Sequence, residues 1–329
     1  MITRRNLLAF GMGALAAPLS LFAQQQGKVW RVGILATRAR PASLESDPYG
    51  AIPQGMRALG YIEGKNIEYE WRFAGGDYTK LPKLAAEIVQ LKVDLIVAVS
   101  ATATRAAQQA TQTIPIVMGS TYDPLGSGFV ATLSHPGGNI TGISSMNEDL
   151  STKHLELLMS IMPRASRVAV LLNFATPGNR AVFEKVATAS RQLKVSVLSF
   201  EARTSEDIKR SFSMMKGQRA EALIVARDPF FLQQSNQIAG LAADARLPAI
   251  YPSTEYAGSN GLLSYGVPSA ANYKRAAVFV DKILKGAKPG DLPVEQPTQF
   301  ELVINMKTAK ALGIAVPQSI LLRADRVIE

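Results

Sequence analysis

The chain has 329 residues, a formal net charge of +10 and no cysteine. The missing cysteine excludes disulfides, a thiol nucleophile and a zinc–thiolate site, and removes the residue a lipoprotein would acylate. Lysine and arginine are dispersed, with no basic run of five, which reads as a solvated basic surface rather than a nucleic-acid face.

The chain opens with "MITRRNLLAFGMGALAAPLSLFAQQQ". Arg4 and Arg5 precede an uncharged apolar run over 7–22, and small residues fill 14–23. This order predicts an export signal over residues 1–23, cut after Ala23. The run is short for a membrane span, and a polar "QQQ" follows it at once. "TRRNLL" approaches a twin-arginine signal, but Ala9 stands where that pattern often has lysine, so both export routes stay open. The expected location is the periplasm.

Strand and helix patterns then alternate to the end of the chain. "WRVGILAT" is the first strand, and a helix over 49–59 leads to "IEYEWRF". A helix over 80–91 leads into "DLIVAVS", and one over 102–111 into "IPIVMGST". The pattern restarts at "GNITGISS". A helix over 151–162 precedes "RVAVLLN", one over 179–193 precedes "SVLSF", and one over 205–216 precedes "EALIVARD". A single helix over 229–245 leads to "LPAIYPS". The tail reads as strand "GLLSYG", helix 270–285, a proline-rich connection, strand "FELVIN" and helix 306–312.

Apolar strands separated by helices of this length predict an α/β fold of parallel sheets covered on both faces. "VDLIVAVSATATRAAQQATQTIPIVMGSTYD" and "AEALIVARDPFFLQQSNQIAGLAADARLPAIYPSTE" share a layout of strand, polar break, helix and strand ending in Ser-Thr. The expected architecture is therefore two doubly wound lobes. Ligands of such sheets gather beyond the carboxyl ends of the strands.

Those ends carry Thr37, Ser100 to Thr102, Thr121 to Asp123, Asn173, Asp228 and Tyr251 to Ser253. Ser100 or Thr102 at a helix start caps backbone N–H groups, and the same end favours an anion. Asp228 stands at the matching place in the second half, and it is equally a good cap before Pro229. A carboxylate-binding helix end facing a carboxylate suits a zwitterion such as an amino acid. Tyr122, Phe230 and Tyr251 offer aromatic faces, either to a ligand or to the core. Arg38, Arg40 and Arg227 lie near these ends, too few for a phosphate or sulfate site. There is no GxxxxGK[ST], no GxGxxG in the first turn and no GxSxG elbow at Ser100. His135 and His154 have no partner at metal-ligand spacing.

Four stretches together resemble the ABC transporter substrate-binding protein family of the type I periplasmic-binding fold. They are "LGYIEGKNIEYEWRFAGGDYTKLPKLAAEIVQLKVDLIVA", "TIPIVMGSTYDPLGSGFVATLSHPGGNITGISS", "LPAIYPSTEYAGSNGLLSYG" and "FVDKILKGAKPGDLPVEQPTQFELVINMKTAKALGI". The resemblance implies capture of a small solute between two lobes and its delivery to a membrane permease and ATPase. It implies no chemistry, cofactor or metal. Carried over by position, the ligand contacts fall on Ser100, Ala101, Thr102, Asp123, Asn173 and Asp228. Many relatives have a Gly-Thr-Pro type of turn where this chain has "SATAT", so the solute itself stays open.

The same resemblance implies three crossings between lobes, near 142–145, 265–267 and 293–298. Lobe one would comprise residues 28–143 plus 267–293, and lobe two residues 144–265 plus 297–329. A periplasmic enzyme acting on a small solute and a ligand sensor for a membrane receptor are the alternatives. A transcriptional regulator of the same fold is disfavoured, since a leading signal stands where a helix-turn-helix module would be. Terminal sequencing of protein from a periplasmic extract is expected to begin at Gln24. An intact Met1 on functional soluble protein in the cytoplasm would overturn the export reading.

Overall fold

The structure is a computed structural model that describes residues 28–145 and 147–329, with the side chains of 147–149 left out. The expected export signal lies outside the described residues. Two sheets organise the chain.

The first sheet holds β1 (Trp30–Ala36), β2 (Ile67–Phe73), β3 (Leu95–Ala98), β4 (Ile116–Thr121) and β5 (Ile140–Ser144), in the order β2-β1-β3-β4-β5, all parallel. Every residue of β3, β4 and β5 is buried, which is why these strands read as apolar runs without alternation. Helix α1 (Ala51–Ala58) covers one face; α2 (Leu81–Gln90) and α3 (Ala101–Ala110) cover the other.

The second sheet continues with β6 (Arg167–Leu172), β7 (Ser196–Glu201), β8 (Ala222–Val225), β9 (Ala249–Tyr251), β10 (Leu263–Gly266), β11 (Glu301–Asn305) and β12 (Arg326–Ile328). Their order is β12-β11-β10-β9-β8-β6-β7. Its helices are α4 (Asn147–Ile161), α5 (Asn179–Gln192), α6 (Ser205–Gly217), α7 (Pro229–Gln233) and α8 (Ser235–Asp244). Helix α6 starts where a capping box predicts. Thr204 Oγ1 accepts from Asp207 N at 3.1 Å, and the Asp207 carboxylate accepts from Thr204 N at 3.0 Å.

Helix α9 (Ser269–Leu284) leaves β10 and packs back on the first sheet, against α1 and β4. Its return explains the one departure from parallel order. Strand β10 ends at the edge facing the first lobe, and the chain comes back to the second sheet at that same edge. Strand β11 must therefore run the other way, and it pairs with β10 antiparallel. The chain ends in α10 (Met306–Leu312), α11 (Gln318–Leu321) and β12.

The three crossings lie side by side. Ser144 N donates to Glu295 O at 2.8 Å, and Glu295 N donates to Gly142 O at 3.0 Å. Arg275 holds the Glu295 carboxylate from α9 through two bonds of 2.6 and 2.7 Å. Two glycines in the crossings pack tightly on neighbouring backbone. Gly142 has φ +130°, and a Cβ there would fall 2.4 Å from the Met118 carbonyl oxygen. A Cβ on Gly266 would fall 2.0 Å from the Pro252 carbonyl oxygen.

The expected helix over 229–245 is two helices. Gln234, with φ −96° and ψ 18°, separates α7 from α8. The break lets Phe231 enter the second core while Gln233 reaches the first lobe. Helix α11 and β12 were not legible because each is too short to show a period.

His154, on α4, is 3% exposed and its Nε2 donates to the Tyr265 carbonyl at 2.6 Å. Burial lowers its pKa to about 4, against a weaker upward pull from that bond. The unfolded chain, with an ordinary histidine near 6.5, binds the proton first as pH falls. Stability from this residue is therefore full above about pH 6.5 and is lost down to pH 4, by about 3 kcal/mol. Denaturant titrations at pH 7 and pH 4.5 are expected to show this loss shrinking in His154→Gln. Equal losses in both chains would mean that His154 is not the titrating group.

Candidate functional site

The two sheets point their strand carboxyl ends at each other, and a cavity lies between them. It is small, about 30 Å³. Its first-lobe wall has Arg38 after β1, Ser100 after β3, Ser120 in β4 and Tyr273 on α9. Its second-lobe wall has Arg227 and Asp228 after β8, and Ser253 and Tyr256 after β9.

Ser100 is extended and caps α3, its Oγ accepting from Ala103 N at 3.3 Å and lying 3.0 Å from Thr102 Oγ1. The amides of Ala101 and Thr102 precede the first intrahelical bond, so this end carries the positive pole of α3. Thr104 Oγ1 ties the turn to β4 through Thr121 Oγ1 at 3.1 Å. The register of β4 on β5 shifts between Met118 and Thr121. Ser120 sits in that irregular stretch, where its Oγ accepts from Asn272 Nδ2 at 3.3 Å and from Arg227 at 3.4 Å.

Asp228 is 2% exposed and caps α7 before Pro229. Its Oδ1 accepts from Phe230 N (2.8 Å), Phe231 N (3.2 Å) and the Tyr78 hydroxyl (2.9 Å). Its Oδ2 accepts from the Thr176 hydroxyl and from Asn173 Nδ2 at 3.4 Å. Burial raises its pKa while these donors pull it back. Tyr78 belongs to the first lobe, and its hydroxyl also accepts from Phe230 N at 2.9 Å. Burial and the nearby Asp228 hold that phenol well above its usual pKa, so it stays a donor.

More bonds cross the gap. Ala39 N donates to Gln233 Oε1 at 2.9 Å. Arg227 reaches Ser120 and the Ser269 hydroxyl, the latter at 3.3 Å. Ser269 N, at the start of α9, donates to Glu255 Oε1 at 2.9 Å. The lobes are thus closed on each other. Arg38 pairs with Asp47 at 2.8 Å and stacks over Tyr49, which also lines the cavity. Arg227 has no carboxylate within ion-pair distance among the described residues.

The residues expected from sequence divide. Ser100 and Asp228 reach the cavity. Ala101 and Thr102 form the helix start beside it, and Thr102 also lines a neighbouring groove with Tyr78 and Pro177. Asn173 lies behind Asp228 and bonds Ala175 N at 3.0 Å. Asp123 closes its own turn on Gly126 N at 2.8 Å and is not part of the cavity wall. Tyr122, Phe230 and Tyr251 are core residues, and Tyr251 stacks on Tyr256 at 4.8 Å. Sequence reasoning missed Ser120, Ser269, Tyr78, Tyr256 and Tyr273. Tyr256 and Ser269 each follow a strand end closely, which was the available signal.

Two parallel-sheet lobes facing across their strand ends, joined by three adjacent crossings, define a type I periplasmic-binding protein. The chain belongs to the ABC transporter substrate-binding protein family, whose profile matches residues 32–328. It is similar to a tyrosine-binding protein of Clostridioides difficile, with 28% identity over 273 residues, 83% of this chain and 78% of that protein. A crystal structure of a conserved domain protein from Vibrio cholerae covers 91% of this chain and 100% of that one, at 26% identity and a TM-score of 0.85. An ABC domain from Streptococcus pneumoniae in complex with L-Trp is similar over 92% of this chain and 100% of that one, at 25% identity and a TM-score of 0.84.

Tyr78→Phe removes a bond that exists only when the lobes are closed. Loss of one such bond costs about 1 kcal/mol, so the ligand-free variant should melt a few degrees lower and scatter as a more extended particle. Unchanged melting and unchanged dimensions would mean that Tyr78 does not hold the lobes together.

Proposed function

We propose that this protein is exported to the periplasm, captures an α-amino acid with an aromatic side chain between its lobes, and presents it to a membrane permease and its ATPase without changing it. The observation that carries this reading is the makeup of the cavity. The start of α3 and the unpaired Arg227 supply donors for one carboxylate, and Tyr49, Tyr256 and Tyr273 supply the apolar wall. A relative named for tyrosine and a neighbour holding L-Trp support the same class of solute.

Ser100 Oγ and the amides of Ala101 and Thr102 would receive the carboxylate. Asp228 and Asn173 would act as struts, since both oxygens of Asp228 are already engaged. Asp123 would shape the rim. Bonds between the lobes close the cavity, so entry requires the walls to part. Lobe one (28–143 plus 267–293) and lobe two (144–265 plus 297–329) would swing about the three crossings. No helix among the described residues is long and apolar enough to cross a membrane.

A thermal-shift screen of amino acids, sugars, nucleosides and aromatic acids tests this. Ligand at a hundred times its dissociation constant adds about 2.7 kcal/mol, which raises the melting temperature by several degrees. The expected hits are tyrosine, tryptophan or phenylalanine, with a more compact particle in scattering. A sugar hit without any amino-acid hit would overturn the solute class. Consumption of a solute during the assay would overturn the binding role itself.

A further inference from the structure

Glu255 Oε2 and Tyr256 Oη are buried side-chain atoms that find no hydrogen-bond partner. They sit on consecutive residues of the short 3₁₀ stretch Thr254–Ser259, just beyond β9. Ser253, Tyr256 and Ser269 line the cavity, and Glu255 stands directly behind them, its other oxygen, Oε1, accepting from Ser269 N. A carboxylate oxygen removed from water without a donor is costly, and native structures seldom leave one so.

The two second-lobe carboxylates beside the cavity differ in what they have left to offer. Asp228 takes five donors on two oxygens, and a carboxylate has about four lone-pair sites. Glu255 takes one donor and keeps an oxygen open. Arg227 approaches the same Ser269 through the hydroxyl. A cation suited to a carboxylate and a carboxylate suited to a cation thus stand around one residue without pairing with each other. That is the charge layout of a zwitterion's two ends.

We propose that Glu255 is the residue that selects for the solute's α-ammonium group. Its open oxygen takes one ammonium hydrogen, and the Tyr256 hydroxyl oxygen takes another. Because Glu255 is already bonded across the gap to α9, it comes into place only as the lobes close, so ammonium recognition and closure are one event. An analogue without the amino group leaves the carboxylate bare, and a buried polar group left unpaired rejects a ligand far more strongly than a misfit in an apolar pocket does. This inference rests on the amino-acid reading above.

The test is calorimetry on the wild-type chain and on Glu255→Gln, with three pairs of probes. These are L-tyrosine, L-tryptophan and L-phenylalanine, each against its desamino acid: 3-(4-hydroxyphenyl)propionate, 3-indolepropionate and 3-phenylpropionate. Glu255→Gln is expected to weaken amino-acid binding about a hundredfold and desamino-acid binding by less than about threefold. Glu255→Asp, which keeps the charge, should retain part of the preference, and it serves if the glutamine variant fails to fold. Equal weakening of both members of a pair would make Glu255 a strut between lobes and overturn the proposal. Unchanged amino-acid affinity would overturn it as well, while leaving the amino-acid reading intact. A wild-type chain that binds none of the six probes would overturn that reading, and the role of Glu255 with it.

Discussion

Asp228 is a carboxylate buried at the end of β8, and such a group is tolerated inside a protein only when donors occupy its oxygens. Here the donors come from three separate parts of the chain. The amides of Phe230 and Phe231 start α7, Thr176 and Asn173 anchor the loop after β6, and Tyr78 arrives from the other lobe. Moving any one of them exposes the charge to an unfilled site, so the α7 start, the 173–179 loop and the interlobe gap are positioned together. The cavity wall beside Arg227 inherits its shape from this node.

A second constraint acts at the crossings. Glu295 is bonded through its backbone to Gly142 and Ser144, and through its carboxylate to Arg275 on α9. The first and third crossings are therefore fastened to the first lobe as a parallel pair. Gly266 packs against the Pro252 carbonyl so closely that no side chain fits. The short path from there to Ser253 links the crossing directly to the cavity wall.

The interlobe bonds are of unequal kinds. Gln233 to Ala39 and Tyr78 to Asp228 join neutral or mixed partners that water could replace once the gap opens. Arg227 instead reaches hydroxyls, those of Ser120, Ser269 and Tyr122, and hydroxyls compensate a guanidinium poorly compared with a carboxylate. A closed gap that leaves one cation so lightly held suits the solute carboxylate proposed above. This is the physical link between family membership, which specifies capture, and the chemistry of this cavity.

The sequence by itself determined the two-sheet α/β architecture. Strands such as "LIVA" and "ALIV" are buried on both faces, and the helices between them are long enough for their period to show. It also marked the strand ends as the place to look, and Ser100 and Asp228 as helix caps there, because capping is a local matter of one residue and its next three amides. It could not tell a cap with spare capacity from one already saturated, since Tyr78, 150 positions away in the chain, decides that for Asp228. Nor could it separate wall from core among the tyrosines: Tyr122 and Tyr251 went inside while Tyr256 and Tyr273 came to the cavity. The antiparallel β11 and the Glu255–Ser269 contact likewise came from the return of α9 to the first lobe. Periodicity and caps are written in neighbouring residues; which polar atoms end up paired depends on lobes that meet only in three dimensions.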